Sequence, residues 1–130
     1  MKSHIIKAIK HYSKVITHKD IFVVDSFSFK DCRASSIVIY AKEYNLKFLI
    51  NIEYTSLKNL SQLLFNKIDN ELIEDLQKEL INTIGGYFAD SFFKKGYTLS
   101  LPDIEKECDK INNIFFRNDM LKLSVRLKVG

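Results

Sequence analysis

The sequence is poor in residues that interrupt regular structure and in residues that cross-link a chain. Its 130 residues include one proline, four glycines, two cysteines and no tryptophan. No apolar run approaches the roughly 18 residues that a membrane-spanning helix requires. No stretch is rich enough in Gly, Ser or Pro to form a linker. These absences exclude an integral membrane protein and predict one globular domain over residues 1–130.

The two cysteines do not form a recognisable motif. Cys32 and Cys108 lie far apart in the sequence, and neither belongs to a CxxC pair. Small secreted domains usually carry a much denser set of cysteines. The opening residues 1–7 contain lysines but neither a continuous apolar segment nor a small-residue cleavage site, unlike a secretion signal. We therefore predict that both cysteines are reduced thiols and that the protein is cytoplasmic.

The charge is mildly positive and spread along the chain. Twenty Lys and Arg residues against 16 Asp and Glu residues give a net charge of +4. Such a small excess does not indicate a nucleic-acid partner. The Lys and Arg residues of the segment 122–128 alternate with apolar residues, which predicts the solvated face of a strand. We expect neither a nucleic-acid nor a membrane partner.

Two shorter segments have the patterns of helices. Apolar residues recur at three- and four-residue steps over residues 3–16, which indicates an amphipathic first helix. Residues 56–66 contain four leucines at similar steps. Thr55 or Ser56 precedes them, and either side chain can cap a helix. The second helix is therefore predicted to be short.

The longest helix is predicted over residues 70–95. Asp69 or Asn70 is a suitable N-cap, acidic residues occupy the first turns, and Gly96 follows the last turn. One broad face of this helix is apolar and should pack against a sheet. That face consists of Ile73, Leu76, Leu80, Ile84 and Phe88.

Strand patterns flank the two later helices. Segments rich in Ile, Val, Phe and Tyr occur three times before them and three times after them. These segments are residues 20–30, 36–42, 46–53, 97–101, 110–116 and 120–129. The last segment alternates most regularly between apolar and polar residues. A helix followed by three strands therefore occurs twice, which predicts an internal pseudo-repeat.

The opposite side of the long helix carries a polar stripe. Steps of three and four residues align Asp75, Glu79, Asn82 and Gly86. Gly85 and Gly86 in the middle of a helix each cost about 1 kcal/mol relative to alanine. Two interpretations follow: either the glycines permit tight packing inside the domain, or they allow another molecule to approach the helix. For an isolated ExxN pattern, a solvated helix face is the simpler interpretation.

The surrounding segment favours a functional interpretation. Residues 79–86 (Glu-Leu-Ile-Asn-Thr-Ile-Gly-Gly), followed by an apolar helix end, Gly96, a strand and Leu101-Pro102, resemble the signature segment of the CheX and CheC family of chemotaxis phosphatases. The match is ExxNxxxG. Family members have two pseudo-symmetric halves, each of which can carry an ExxN helix. Here the first helix offers His4, Lys7, Lys10 and His11 instead, so the chain resembles the single-site CheX type.

The resemblance implies both a fold and an activity. It implies an α/β (α+β) fold in which a helix plus three strands occurs twice, with an antiparallel sheet packed against two long helices and a short extra helix. It also implies hydrolysis of the aspartyl-phosphate of a CheY-like response regulator, with Mg²⁺ carried by that partner and no cofactor bound by this chain. Asn82 would position the attacking water. Glu79 would meet a lysine of the partner, and Asp75, Gly85 and Gly86 would contact the partner.

The alternative is a non-catalytic CheX-like module that docks on a response regulator or a flagellar switch component. A third, weaker alternative is an oligomerising structural domain, and the sequence leaves open whether a homodimer forms. No metal site is predicted, because His4, His11 and His18 lie about 10 Å apart along a helix and are expected to be solvated.

Overall fold

Three helices and seven strands make up the described part of a computed structural model, which covers residues 1–109 and 113–129. In chain order they are α1 (Lys2–Thr17), β1 (Phe22–Val24), β2 (Cys32–Ala41), β3 (Asn45–Glu53), α2 (Tyr54–Phe65), α3 (Asn70–Phe92), β4 (Tyr97–Leu99), β5 (Asp103–Glu105), β6 (Ile114–Arg117) and β7 (Lys122–Val129). All three predicted helices are present. The predicted α+β class is confirmed.

The strands form one antiparallel sheet that is nearly symmetric under exchange of the two halves of the chain. Its order is β1-β6-β7-β3-β2-β4, and β5 also pairs with β2. The centre is the pair β3 and β7, in register from Leu46↔Val129 to Ile52↔Leu123. On one side β1 of the first half pairs with β6, and on the other side β4 and β5 of the second half pair with β2. Thus β1 of the first half pairs with the second half, and β4 and β5 of the second half pair with the first, in agreement with the predicted pseudo-repeat.

The core lies between one face of the sheet and helices α1 and α3. Alternate residues of β3, from Leu46 to Ile52, point to this side and are fully buried. The predicted apolar face of α3 is buried as well. The ring centroids of Phe48 and Phe88 lie 5.3 Å apart, which joins the middle of the sheet to α3. Burial of each large apolar side chain stabilises the fold by roughly 1.5 to 3 kcal/mol.

The opposite face of the sheet is rich in ion pairs. Lys122 Nζ lies 3.3 Å from Glu53 Oε2, and Arg126 pairs with Asp109. Lys47 Nζ lies 2.9 Å from Glu105 Oε1. The prediction that the polar face of β7 is solvated is therefore partly wrong, because acidic side chains of neighbouring segments cover Lys122 and Arg126.

Glu105 joins β5 to this polar face. Its carboxylate accepts a hydrogen bond from Ser36 Oγ at 2.6 Å. This hydrogen bond and the nearby Lys47 ammonium lower the pKa of the Glu105 carboxyl. The carboxylate therefore stays charged at neutral pH and connects β5 to two strands of the sheet.

Several predicted boundaries differ from the structure. Strand β1 occupies only Phe22–Val24 of the predicted strand 20–30, and β5 was not predicted. Part of the predicted strand 110–116, residues 110–112, lies outside the described residues, and β6 extends to Arg117.

The predicted cap of α2 is wrong. The helix begins at Tyr54, before Thr55 and Ser56, and no side chain caps it. Ser56 Oγ instead accepts a hydrogen bond from the backbone N–H of Lys122 at 2.8 Å. The hydroxyl is used to join α2 to β7.

The two cysteines form a disulfide, so the prediction of reduced thiols is wrong. Cys32 and Cys108 are bonded, with Cα atoms 6.2 Å apart. The reason is the pairing of β2 with β5, in which Ala34 lies opposite Glu105. The cysteines lie two and three residues beyond that pair, so a separation of 76 residues in sequence becomes direct contact in the fold.

Within the described ranges, no helix is both long enough and apolar enough to cross a membrane.

Candidate functional site

Helix α3 is the rigid element that carries the predicted site. It begins with a side-chain cap, because Asp69 Oδ1 accepts a hydrogen bond from the backbone N–H of Glu71 at 2.8 Å. Its 23 residues span about 34 Å. The predicted N-cap is confirmed, but the helix ends at Phe92, three residues earlier than predicted, where Lys94 adopts a φ of 66°. The apolar face fixes the rotation of α3 on the sheet and so determines which residues face solvent.

The predicted polar stripe lies on the outer surface of α3. Asp75, Glu79 and Asn82 are exposed, and Gly86 is half-buried. Three residues of the stripe, together with Lys78, form one wall of an open groove. The segment Leu99–Pro102, which runs from the end of β4 to the residue before β5, forms the other wall. The sequence pattern indicated the stripe but did not indicate that this segment lies opposite it.

The side chain of Asn82 is not engaged by its neighbours. Among the described residues its carboxamide makes no hydrogen bond, so both its oxygen and its nitrogen face solvent in the groove. Glu79, one turn earlier, is in contact with Thr83, whose Oγ1 donates to Glu79 Oε1 at 3.5 Å. Neither Glu79 nor Asp75 has an ion pair within the described part of the chain. The groove therefore presents the unengaged carboxamide of Asn82 beside two carboxylates that have no ion pair. Lys78 lies on the same wall and pairs with Glu74, with Nζ 3.8 Å from Oε1.

Helix α1 packs behind this groove and runs antiparallel to α3. His4 Nδ1 lies 2.7 Å from Ser91 Oγ, and the His11 ring contacts the Tyr87 ring edge-on at 4.6 Å. Tyr12 lies further along α1. Burial, then the charge of Glu79 and the presence of Tyr87, raise the pKa of Tyr12 well above that of a free tyrosine. The negative charge of Glu79 on α3 thus acts on the buried phenol of Tyr12 on α1.

His4 and His11 lie on α1, and His18 follows its last residue. His4 is half-buried and bonded to Ser91, so its predicted solvated state is wrong, whereas His11 and His18 are exposed. In the parts of the chain that the structure describes, no group of three His, Cys, Asp or Glu residues could hold a metal ion.

The two glycines of α3 differ in their surroundings. Gly85 is buried, and a Cβ atom there would lie 3.0 Å from Cγ2 of Ile37 on β2. Gly86 is half-buried, and a Cβ atom there would lie 3.9 Å from Cδ1 of Leu99, which is an ordinary contact distance. The prediction of Gly85 as a partner contact is therefore wrong, because Gly85 permits tight packing inside the domain. Gly86 alone borders the surface.

The fold is shared with solved structures of chemotaxis proteins. Chemotaxis protein CheX from Vibrio vulnificus superposes with a TM-score of 0.76 at 10% sequence identity, over 97% of this chain and 95% of that one. The CheX-CheY-BeF3-Mg²⁺ complex from Borrelia burgdorferi gives a TM-score of 0.69 at 13% identity, over 98% and 96% of the two chains. FliY from Thermotoga maritima superposes with a TM-score of 0.65 at 11% sequence identity, over 98% of this chain and 84% of that one.

The sequence itself matches no protein-family model and no curated protein. Identities this low establish the fold alone. The chain therefore has a CheX-like fold, as the resemblance of residues 79–86 implied.

Proposed function

We propose that this CheX-like chain is a phosphatase that hydrolyses the aspartyl-phosphate of a CheY-like response regulator. The observation that carries the proposal is the arrangement of Glu79 and Asn82. They lie one turn apart on the exposed side of α3, with the carboxamide of Asn82 unengaged. The complex of CheX with CheY and BeF3 in the same fold supports a response regulator as the partner.

In the proposed reaction, water attacks the phosphorus atom and the bond between phosphorus and the aspartyl oxygen breaks. The products are the aspartate carboxylate of the partner and inorganic phosphate. Such phosphoryl transfers are catalysed mainly by positioning. The carboxamide of Asn82 can accept a hydrogen bond from the water and orient it in line. Because the carboxamide is neutral, it does not repel the phosphoryl oxygens.

Glu79 has a different task. Its carboxylate would be repelled by a phosphoryl group, so we assign it to a cationic group of the partner, the lysine beside the phosphoaspartate. Asp75, one turn earlier and also exposed, adds negative charge at the same wall. Gly86 leaves room for the partner at the other end of the stripe. Mg²⁺ is carried by the partner in this proposal, and this chain binds no cofactor.

The second candidate function is a non-catalytic module that docks on a response regulator or a flagellar switch component. The observation that favours it is the same fold in FliY. Under this alternative the groove binds the partner but Asn82 does not act on water.

The test is the decay of an aspartyl-phosphorylated CheY-like protein in Mg²⁺, measured alone, with this protein and with its Asn82→Ala variant. We expect the wild type to accelerate decay and the variant to lose the acceleration. The variant should remain folded, because Asn82 makes no internal hydrogen bond and alanine is the better helix former. Gln62→Ala removes an exposed carboxamide on α2 and serves as the matched control with full activity.

Two results would contradict the phosphatase. Retained acceleration by the Asn82→Ala variant would remove Asn82 from the reaction. Binding of the phosphorylated regulator without any acceleration by the wild type would favour the docking module.

A further inference from the structure

The groove of α3 contains a second feature that the proposed chemistry does not use. Leu101, on the wall opposite Asn82, is 87% exposed, more than any other large hydrophobic residue that the structure describes. It lies in the segment between two short edge strands and is followed by Pro102. An apolar side chain gains free energy when it is removed from water. Leu101 therefore has the chemistry of a contact for another molecule.

The segment that carries Leu101 is fixed to the sheet. The backbone N–H of Ser100 donates to the carbonyl of Val38 at 2.9 Å. Ser100 Oγ accepts from the backbone N–H of Val38 at 2.8 Å and donates to the carbonyl of Leu101 at 3.1 Å. We call these three hydrogen bonds the Ser100 clip.

The Ser100 clip joins this segment to β2 between the β2–β4 pairing and the β2–β5 pairing. On one side Leu99 pairs with Ile39, and on the other side Asp103 pairs with Ser36. The exposed leucine is thus held at both ends by strands that pair with β2. A side chain presented on a fixed segment loses little conformational entropy on binding, which is favourable for an anchor residue.

The other wall of the groove indicates the charge of the partner. Asp75 and Glu79 are exposed carboxylates without an ion pair in the described ranges. Lys78 lies on the same wall, but its ammonium is paired with Glu74 at 3.8 Å, so the two carboxylates are left for a cation of the partner. A surface that complements this groove therefore has a cationic group beside an apolar depression. Such a combination favours a folded protein surface over a free phosphate or a nucleic acid, which are anionic.

We propose that Leu101, held out by the Ser100 clip, is the apolar anchor that docks the response regulator and sets the specificity for it. Leu101 enters an apolar depression next to the lysine that Glu79 contacts. This inference rests on the proposed function for the identity of the partner. Because Leu101 does not touch the reacting atoms, it contributes equally to binding in the ground state and in the transition state. It affects KM and not kcat.

The test uses Leu101→Ser in the phosphoaspartate decay assay, with the regulator loaded with BeF3 as the binding probe. We expect KM and the Kd of the loaded regulator to rise about tenfold, with kcat unchanged. Ser100→Ala removes the two side-chain hydrogen bonds of the clip and keeps the backbone one, and we expect a smaller rise in both quantities. Leu63→Ser, on α2, is the matched control because Leu63 is also exposed, at 50%, and lies outside the groove. It should leave KM, kcat and Kd unchanged.

The outcomes separate this inference from the proposed function. Wild-type acceleration with unchanged KM and Kd in the Leu101→Ser variant would overturn the anchor and leave the phosphatase intact. Loss of binding in that variant, with no acceleration by the wild type, would support the anchor and overturn the phosphatase. A fall in kcat at unchanged Kd would also overturn the anchor, because Leu101 would then act in the reaction and not in docking.

Discussion

At the scale of single residues, the two adjacent glycines of α3 show how little the sequence reveals about a role that depends on the facing element. Both glycines cost the helix the same propensity, so the sequence cannot distinguish them. In the fold Gly85 lies under Ile37, a buried β-branched residue of β2, whereas Gly86 has space beside Leu99. The difference comes from the sheet and not from the helix.

This difference leads to a paired prediction. Gly86→Ala should raise the free energy of unfolding by about 0.5 to 1 kcal/mol, because alanine is the better helix former and its methyl group meets an ordinary contact. The Gly85→Ala variant should have a free energy of unfolding about 1 to 3 kcal/mol lower than that of the Gly86→Ala variant, because its methyl group meets Ile37 in a packed core. Both values come from urea unfolding. The gain in helix propensity is the same for both variants, so the difference between their free energies of unfolding measures the contact of the new methyl group with Ile37. Equal free energies of unfolding would contradict that contact.

The stripe itself could be predicted from the sequence, because helical periodicity alone places Asp75, Glu79 and Asn82 on one side. The apolar face of α3 then decides that this side is exposed. The opposite wall of the groove could not be predicted. Leu101 is 19 residues beyond Asn82 in the sequence, and it reaches the groove only because β4 and β5 both pair with β2.

At the scale of elements, the sequence predicts a long element better than a short one. The three helices and the long strands β3 and β7 have enough residues to show a period. Strand β5 has three residues, and only its pairing with β2 makes it a strand. The order of elements also indicated the pseudo-repeat. It did not show that the halves exchange their outer strands, because pairing between distant segments leaves no local pattern.

Helix caps give a prediction at this scale. The sequence predicts a side-chain cap for α2 and another for α3, and only α3 has one in the structure. Asp69→Ala should lower the free energy of unfolding by about 1 kcal/mol, since it removes the acceptor of the Glu71 N–H and a negative charge at the N-terminus of α3. Thr55→Ala is the control, and it should change stability by less than about 0.5 kcal/mol because Thr55 is exposed and caps nothing. The measurement is chemical unfolding of both variants at neutral pH. A larger loss for Thr55→Ala than for Asp69→Ala would contradict the assignment.

At the scale of the whole molecule, the disulfide joins two parts of the chain that the sheet has already brought together. Cys32 begins β2, and Cys108 follows β5. The same region is also held by Asn51, whose Nδ2 contacts Ser124 Oγ at 3.1 Å, and by the pair of Arg126 with Asp109. Because these polar contacts are made by side chains other than the cysteines, we expect the fold to survive reduction. Reduction is then expected to lower the free energy of unfolding without unfolding the protein.

Reduction should lower the free energy of unfolding by roughly 2 to 5 kcal/mol, because a cross-link across 76 residues restricts the unfolded chain strongly. For a domain of this size, Tm should fall on the order of 10 °C. The measurement is a thermal melt with and without reductant, alongside titration of free thiols. Cys108→Ser supplies the control: it should melt near the reduced wild type and show no further shift when reductant is added. If the wild type keeps its Tm after both thiols are shown to be free, the disulfide does not stabilise the fold, and the strand pairing and polar contacts hold this side of the sheet without it.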